Sequence, residues 1–299
     1  MNMFRIGQHL PAFYLILISM FLTHCTSRDT IRSRVLQELS SVKGDFAVAF
    51  LNLSTGEEVL INERRQFHAA STMKTPVMIE VYKQASEGKL SLYDSVEIRN
   101  SFHSIVDGSL FSLDAAGDSS TIFNQIGRKQ TLYKLMYDMI IYSSDLSTNL
   151  VIEKVGAAQV TATMRSLGAM DIQVLRGVED NKAYEKGLNN TVTAYDQMLL
   201  MSKLAKGEVV SAEASSAMMD ILFDQRYREI IPAKLPTDVR VADKRGWIKG
   251  LEHDCAVVEL PDGRRYVLIL LSQNLGDRDQ AINAMANVSR MFYDHVVGG

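Results

Sequence analysis

The sequence predicts an α+β fold in which the two chain ends build one antiparallel sheet and the middle of the chain forms an all-helical lobe. Three observations lead there. Segments rich in β-formers lie near both ends, at Asp45–Leu53 and Glu58–Ile61 and again at Ala256–Leu260 and Arg265–Ser272. Helical periodicity dominates the stretch between them. A further helical segment flanks each end, at Arg28–Val42 and Asp277–Val296.

Each element has a local reason. In Arg28–Val42, the apolar residues Ile31, Val35, Leu36 and Leu39 recur at helical spacing. The run DFAVAFLNL from Asp45 reads as a strand, Ser54-Thr55-Gly56 as a turn and Glu58–Ile61 as the returning strand. Near the other end, Pro261-Asp262-Gly263 separates two strands in the same way. Between the ends, helices are expected over Thr72–Glu87, Leu132–Tyr142, Ser147–Val155, Ala157–Leu167, Thr193–Ala205 and Ala212–Phe223. This organisation implies an α/β lobe from residues 28–70 and 226–299, a helical lobe from residues 71–225, and a cleft between them. With 299 residues the chain is long enough for two lobes sharing a core.

Composition narrows the class. Apolar residues make up 46%, too many for disorder, and the net charge of −3 is spread without a basic stripe, so nucleic acid is not an implied partner. The first residues are different in kind. Arg5 precedes the uncharged apolar run Leu10–Leu22, which is short for a membrane span and fits an export signal over residues 1–24. Cys25 follows at once and resembles the lipidated cysteine of a bacterial lipoprotein, although His24 stands where a small residue is usual. The expectation is an exported protein of the bacterial cell envelope or periplasm, held to a membrane through lipid on Cys25, with residues 25–299 as a catalytic domain acting as a monomer. Cys255 is the only other cysteine and sits in an apolar run, which favours core packing. No Cys/His cluster has metal-ligand spacing.

The sharpest chemical feature is Ser71-Thr72-Met73-Lys74. Residues three apart share one face of a helix, so a serine hydroxyl and a lysine amine can meet there. Such a pair suits nucleophilic catalysis when a base removes the serine proton. Alone the tetrad is weak, since a helix cap followed by a surface lysine gives the same letters. Its apolar setting (Ala69, Ala70, Met73, Val77, Met78, Ile79) argues against a merely solvated lysine. Two later segments add weight: Tyr142-Ser143-Ser144-Asp145-Leu146-Ser147-Thr148-Asn149 and Val241-Ala242-Asp243-Lys244-Arg245-Gly246-Trp247.

Together, and in this order, the three segments resemble the Ser-x-x-Lys, Ser-Asp-Asn and Lys-Thr-Gly elements of class A β-lactamases and penicillin-binding proteins. The resemblance runs from about Gly44 to Asn274. It implies the β-lactamase/transpeptidase-like fold and a serine hydrolase that forms an acyl-enzyme with a small-molecule β-lactam, or a related amide or ester, without metal or organic cofactor. It makes Ser71 the nucleophile, Lys74 its partner in proton transfer, and Ser143 the shuttle to the leaving nitrogen. Lys244 becomes the cleft lysine, and the backbone N–H groups of Ser71 and Trp247 become the oxyanion hole. Asp145, Lys244, Arg245, Gly246 and Trp247 are the implied substrate-binding residues. Glu179, in the loop Arg176–Ala183, is the candidate deacylating base.

The pattern also breaks. Asp145 stands where the resemblance has Asn, and an ionised Asp only accepts hydrogen bonds. Arg245 replaces a small hydroxyl residue; its fork is expected either to fill the carboxylate pocket or to extend positive charge toward larger anionic substrates. Ala183 stands where an Asn would help hold the hydrolytic water. His253 is expected as a hydrogen-bonded structural histidine or a cleft base, and Trp247 as a cleft wall or a core residue. Three functions remain open on the sequence: β-lactam hydrolysis, acyl transfer on another cell-wall amide or ester, and an inactive envelope protein that keeps the cleft for binding.

Overall fold

The computed structural model describes Met1 and residues 26–298. Residues 2–25, which hold Cys25 and all but the first residue of the expected export signal, lie outside the described residues. The chain begins with α1 (Thr26–Ser40), β1 (Asp45–Asn52) and β2 (Glu58–Ile61). Next come β3 (Phe67–His68), a 3-10 turn over Ala70–Met73, and α2 (Lys74–Ser86). Four short strands follow: β4 (Ser95–Glu97), β5 (Phe102–His103), β6 (Leu110–Phe111) and β7 (Lys129–Thr131). The helical run is α3 (Leu132–Ile141), α4 (Asp145–Val155), α5 (Ala157–Ser166) and α6 (Asn181–Glu185). After β8 (Thr191–Val192) come α7 (Ala194–Ala205) and α8 (Ala212–Phe223). The chain closes with β9 (Arg240–Ile248), β10 (Leu251–Glu259), β11 (Arg265–Gln273) and α9 (Arg278–Gly298).

The main sheet has the order β2-β1-β11-β10-β9, with antiparallel neighbours, so the two chain ends share one sheet. Strand alternation divides its side chains between two cores. Phe46, Val48 and Phe50 of β1 and Tyr266, Leu268 and Leu270 of β11 pack with α1 and α9 on the outer face. Ala47 and Ala49 of β1 and Val267, Ile269 and Leu271 of β11 face the helices instead. That inner core is continuous with the helical residues Val77, Met139, Met198 and Met201, so the helices share a core with the sheet and do not form a separate one. Small residues on the inner face of β1 leave room for α7, which packs against β1 and β11.

Side-chain caps fix where several helices begin. Thr131, Ser144, Thr193 and Ser211 accept from the backbone N–H three residues on, at the starts of α3, α4, α7 and α8. Each such cap contributes roughly 1 kcal/mol.

Two expectations need adjustment. Leu36 is not on the buried face of α1; it is 39% exposed, while Ile31, Val35 and Leu39 are buried. The strand expected at Ala256–Leu260 begins earlier, at Leu251, and pairs with a full-length edge strand, β9. Both carry charged residues in runs, which masks a strand whose two faces are buried.

Candidate active site

The nucleophile candidate lies where edge strand β9, strand β3 and the 3-10 turn meet. β3 pairs with β8, Phe67 opposite Val192 and His68 opposite Thr191. Ala69 N–H donates to Asn190 O at 2.8 Å, and Thr72 N–H and Oγ1 donate to Ala69 O at 3.1 and 2.6 Å. From β10, His253 Nε2 donates to His68 O at 2.9 Å. Within this frame Ala70 takes the left-handed conformation, φ +45, immediately before Ser71. Left-handed backbone costs a non-glycine residue roughly 1–3 kcal/mol and persists only where the surroundings enforce it. Ser143 (φ +54) and Glu179 (φ +59) share this conformation, so three of the six such non-glycine residues among the described residues belong to the site.

β9 reaches Ser71 only because Gly246 has no side chain. A Cβ there would lie 2.8 Å from Ser71 N and 2.9 Å from Thr72 N. The glycine of the third motif is thus a close-approach residue that lets the backbone before Trp247 run beside the backbone N–H of Ser71.

The two lysines converge on Ser143. Lys74 Nζ donates to Ser143 O at 2.7 Å, to Ser143 Oγ at 3.1 Å and to Asp145 Oδ1 at 2.7 Å. Lys244 Nζ donates to Ser143 Oγ at 3.0 Å and to Arg245 O at 2.7 Å. Both lysines are fully buried. Burial first, and then the charge of Lys74, hold the Lys244 amine well below its ordinary range. Ser143 Oγ accepts on both lone pairs, which leaves its own proton free for a third partner.

The Glu179 loop is clamped on either side of that residue. Asn149, from α4, accepts from Val178 N–H at 2.7 Å and donates to Val178 O at 3.0 Å. Asp180 accepts from Ser104 Oγ and from Ile105 N–H, both at 2.9 Å. At the neck of the loop, Arg176 donates to Leu188 O, Gly177 O and Asn189 Oδ1, while Asn190 bonds both main-chain polar groups of Arg176. Burial, and next the nearby Asp145 carboxylate, push the Glu179 carboxyl above its usual range. A carboxyl in this position suits general base work.

A cavity of about 300 Å³ joins these parts: Ser71, Asp145, Glu179 and Trp247 all line it. Lys74, Ser143 and Lys244 are buried and connect to that surface through Asp145. Trp247 is therefore a wall of the cleft, with Tyr227 edge-on at 4.9 Å. His253 is buried and structural, with burial holding its imidazole down at about 4. Cys255 is buried and burial holds its thiol well above the usual range.

Arg245 corrects the sequence reading. It is 1% exposed and does not line the cavity. Adjacent residues of a strand point to opposite faces. Lys244 turns toward Ser143, while Arg245 turns the other way, onto Glu229 and onto Glu252 at 2.5 Å. Arg278 of α9 joins the same Glu252 at 2.5 Å. The Arg245 charge is matched by carboxylates and does not extend toward a substrate; its guanidinium supports Trp247 from 5.5 Å.

Ala183 is also buried and outside the cavity, at the third position of α6, where its N–H bonds the Asp180 cap. Asn181, two residues after Glu179, lines the cavity instead. His68, Arg176, Tyr184 and Asn190 complete that end of the cleft and were not anticipated. The available signal was His68, the polar residue three positions before Ser71.

Comparisons with known proteins give the family and the fold. The profile of the family described as the β-lactamase enzyme family matches residues 30–296. β-Lactamase CARB-3 of Pseudomonas aeruginosa is 22% identical over 242 residues, covering 80% of each chain. β-Lactamase PSE-4 of the same organism is 20% identical over 300 residues, covering 96% of this chain and 97% of its own. The crystal structure of a β-lactamase from Sphaerobacter thermophilus DSM 20745 superposes with a TM-score of 0.78 at 24% identity, over 91% of this chain and 98% of its own. With its fold, the order of its three motifs and this family match in hand, the chain belongs to the β-lactamase enzyme family, as a class A β-lactamase-like serine hydrolase.

Proposed function

We propose that the protein hydrolyses the β-lactam amide through an acyl-enzyme on Ser71. The observation that carries this reading is Ser143 Oγ, bonded by both Lys74 and Lys244 beside a cavity that holds Ser71 and Glu179. Ser71 Oγ attacks the lactam carbonyl carbon as Lys74, neutral for this step, takes its proton. The C–N bond breaks, the nitrogen takes the proton of Ser143, and Lys74 passes the Ser71 proton on to Ser143 Oγ, to which it is bonded. The N–H groups of Ser71 and Trp247 receive the developing oxyanion. A single donor of this kind contributes about 10²–10³ in rate. Water then attacks the ester carbonyl, Glu179 takes its proton, and Glu179 hands that proton to Ser71 Oγ as the ester C–O bond breaks. Asn181 lies close enough in sequence and cavity to help position that water.

A second reading is a protein that is acylated readily and deacylates slowly, in the manner of a penicillin-binding protein. The pairing of Asp145 with Lys74 favours it. Glu179→Gln separates the two. In a working hydrolase the variant accumulates an adduct on Ser71 that the native chain clears; in the slow-release reading both proteins keep the adduct equally long.

The N-terminal sequence supports export and lipid attachment at Cys25, with the catalytic domain acting as a monomer in the cell envelope. Fractionation of cells expressing the full chain tests this: Cys25→Ser moves the protein from the membrane to the soluble fraction if the lipid is its anchor.

A further inference from the structure

We propose that His68 is a positioning residue for the nucleophile: its Nδ1 holds the Ala70 N–H, fixing the left-handed backbone that presents Ser71, and the hold is released when the imidazole takes a proton. The kinetic part of this inference rests on the reading of Ser71 as nucleophile; the structural part does not.

Ala70 N–H donates to His68 Nδ1 at 3.0 Å. A backbone N–H only donates, so Nδ1 is bare and the neutral ring carries its proton on Nε2. A side-chain acceptor two residues before the N–H is the geometry of an Asx-turn, here made by an imidazole. The residue it holds is Ala70, at φ +45, next to Ser71. Other contacts fix the neighbours: Ala69 N–H on Asn190 O, Thr72 N–H on Ala69 O, and His253 Nε2 on His68 O. The His68 ring alone among them acts on the N–H of Ala70 itself.

It is also the contact that titrates to a break. Protonated His68 carries hydrogens on both nitrogens, so Nδ1–H would face Ala70 N–H, donor against donor. Protonating His253 leaves its Nε2 donor in place. The groups around His68 are the Arg176 guanidinium on the loop, the Tyr184 ring at 5.9 Å edge-on, and His253 on β10; Glu179, Asp180 and Lys249 line the same cavity. Burial first, then Arg176, hold the imidazole below its ordinary 6.5. The neutral, holding form therefore prevails at neutral pH, and the hold is lost as pH falls through a midpoint below 6.5.

Two measurements on the soluble chain test this. In the first, protein with ¹⁵N-labelled histidine and backbone is titrated by NMR. The expected result is an unprotonated Nδ1 at pH 7.5, with the Ala70 and Ser71 amide signals moving at the same midpoint as His68. A proton on Nδ1 at that pH, or amides that ignore His68, overturns the proposal. In the second, the rate of Ser71 acylation is followed from pH 4.5 to 8 with benzylpenicillin and, in parallel, with a fluorophosphonate. The background is Glu179→Gln, which removes that carboxyl from the profile. His68→Ala is expected to react at least tenfold more slowly. His68→Asn, whose Oδ1 accepts where Nδ1 did, is expected to recover most of that rate and to lose the acid limb. An acid limb that persists unchanged in His68→Asn, or full reactivity in His68→Ala, overturns the proposal. Reaction with the fluorophosphonate alone, with an acid limb that is present in the His68 protein and lost in His68→Asn, would sink the β-lactam reading and leave His68 in its role. If neither reagent modifies Ser71, the nucleophile reading fails and the NMR titration still decides whether His68 holds Ala70.

Discussion

Lys74 Nζ and Asp145 Oδ1 are 2.7 Å apart, so the catalytic lysine candidate and the carboxylate in the second motif neutralise each other inside the cleft. As an ammonium, Lys74 uses its three donors on Asp145, Ser143 O and Ser143 Oγ. The Asp145 side chain is 37% exposed and lines the cavity, where it presents acceptors and no donor.

Asp145→Asn therefore changes the cleft in one direction. The amide oxygen still accepts from Lys74, and the new NH₂ donates toward a substrate carbonyl. One added hydrogen bond in the transition state, near 1.4 kcal/mol, corresponds to about tenfold in rate. Acylation by benzylpenicillin, measured by rapid-quench mass spectrometry, is expected to rise about tenfold. An unchanged or slower rate would show that the carboxylate is needed where it is.

Gly246→Ala tests the close approach of β9 to the nucleophile. Its Cβ would stand 2.8 Å from Ser71 N, against backbone atoms that cannot swing away. Overpacking of this kind costs roughly 1–3 kcal/mol. Here it falls on the segment that carries Ser71, so acylation is expected to drop by 100-fold or more with a smaller loss in thermal midpoint. A variant that acylates normally contradicts this placement of β9.

Asn149→Ala removes the bidentate clamp on Val178. The lost bonds leave the N–H and C=O of Val178 unsatisfied, at roughly 1–3 kcal/mol for a buried group. Because the clamp holds the residue next to Glu179, deacylation is expected to slow by at least tenfold while acylation changes less. Pre-steady-state kinetics separate the two steps. Equal slowing of both would argue that Asn149 only supports the fold.

The pH dependence of deacylation follows from Glu179. A general base works when ionised, and this carboxyl is held above the usual 4.5 by burial and by Asp145. Deacylation of preformed acyl-enzyme is expected to fall as pH drops through a midpoint above 4.5. In Asp145→Asn the neighbouring charge is gone, so that midpoint is expected to move down. A profile unaffected by Asp145→Asn would remove Asp145 from the electrostatics of the loop.

Much of this was legible in the sequence, for physical reasons that differ by residue. Ser71 and Lys74 stand out by their spacing, although Ser71 falls in the 3-10 turn before α2 and the donors of Lys74 go to Ser143 and Asp145. β1 and β11 stand out because their apolar letters run unbroken. Arg245 was misread because a motif aligns letters, whereas strand alternation sends Lys244 and Arg245 to opposite faces. The early part of β10 was hidden because Glu252, His253 and Asp254 look exposed, yet all are buried among ion pairs and hydrogen bonds. Asn181 and Tyr184 depend on how a loop folds over the cleft, and no local pattern encodes that. His68 carries a local cue, since its acceptor role is set two residues away, but its meaning rests on the left-handed turn at Ala70.

The central claim is an acyl-enzyme on Ser71 that forms from a β-lactam and is then hydrolysed. Intact mass of the purified soluble chain, followed with drug loss during incubation with benzylpenicillin, tests it most directly. Drug loss is expected with a transient mass increase equal to the whole drug, located on Ser71, and neither is expected in Ser71→Ala. No adduct and no drug loss, or loss that persists in Ser71→Ala, would contradict it.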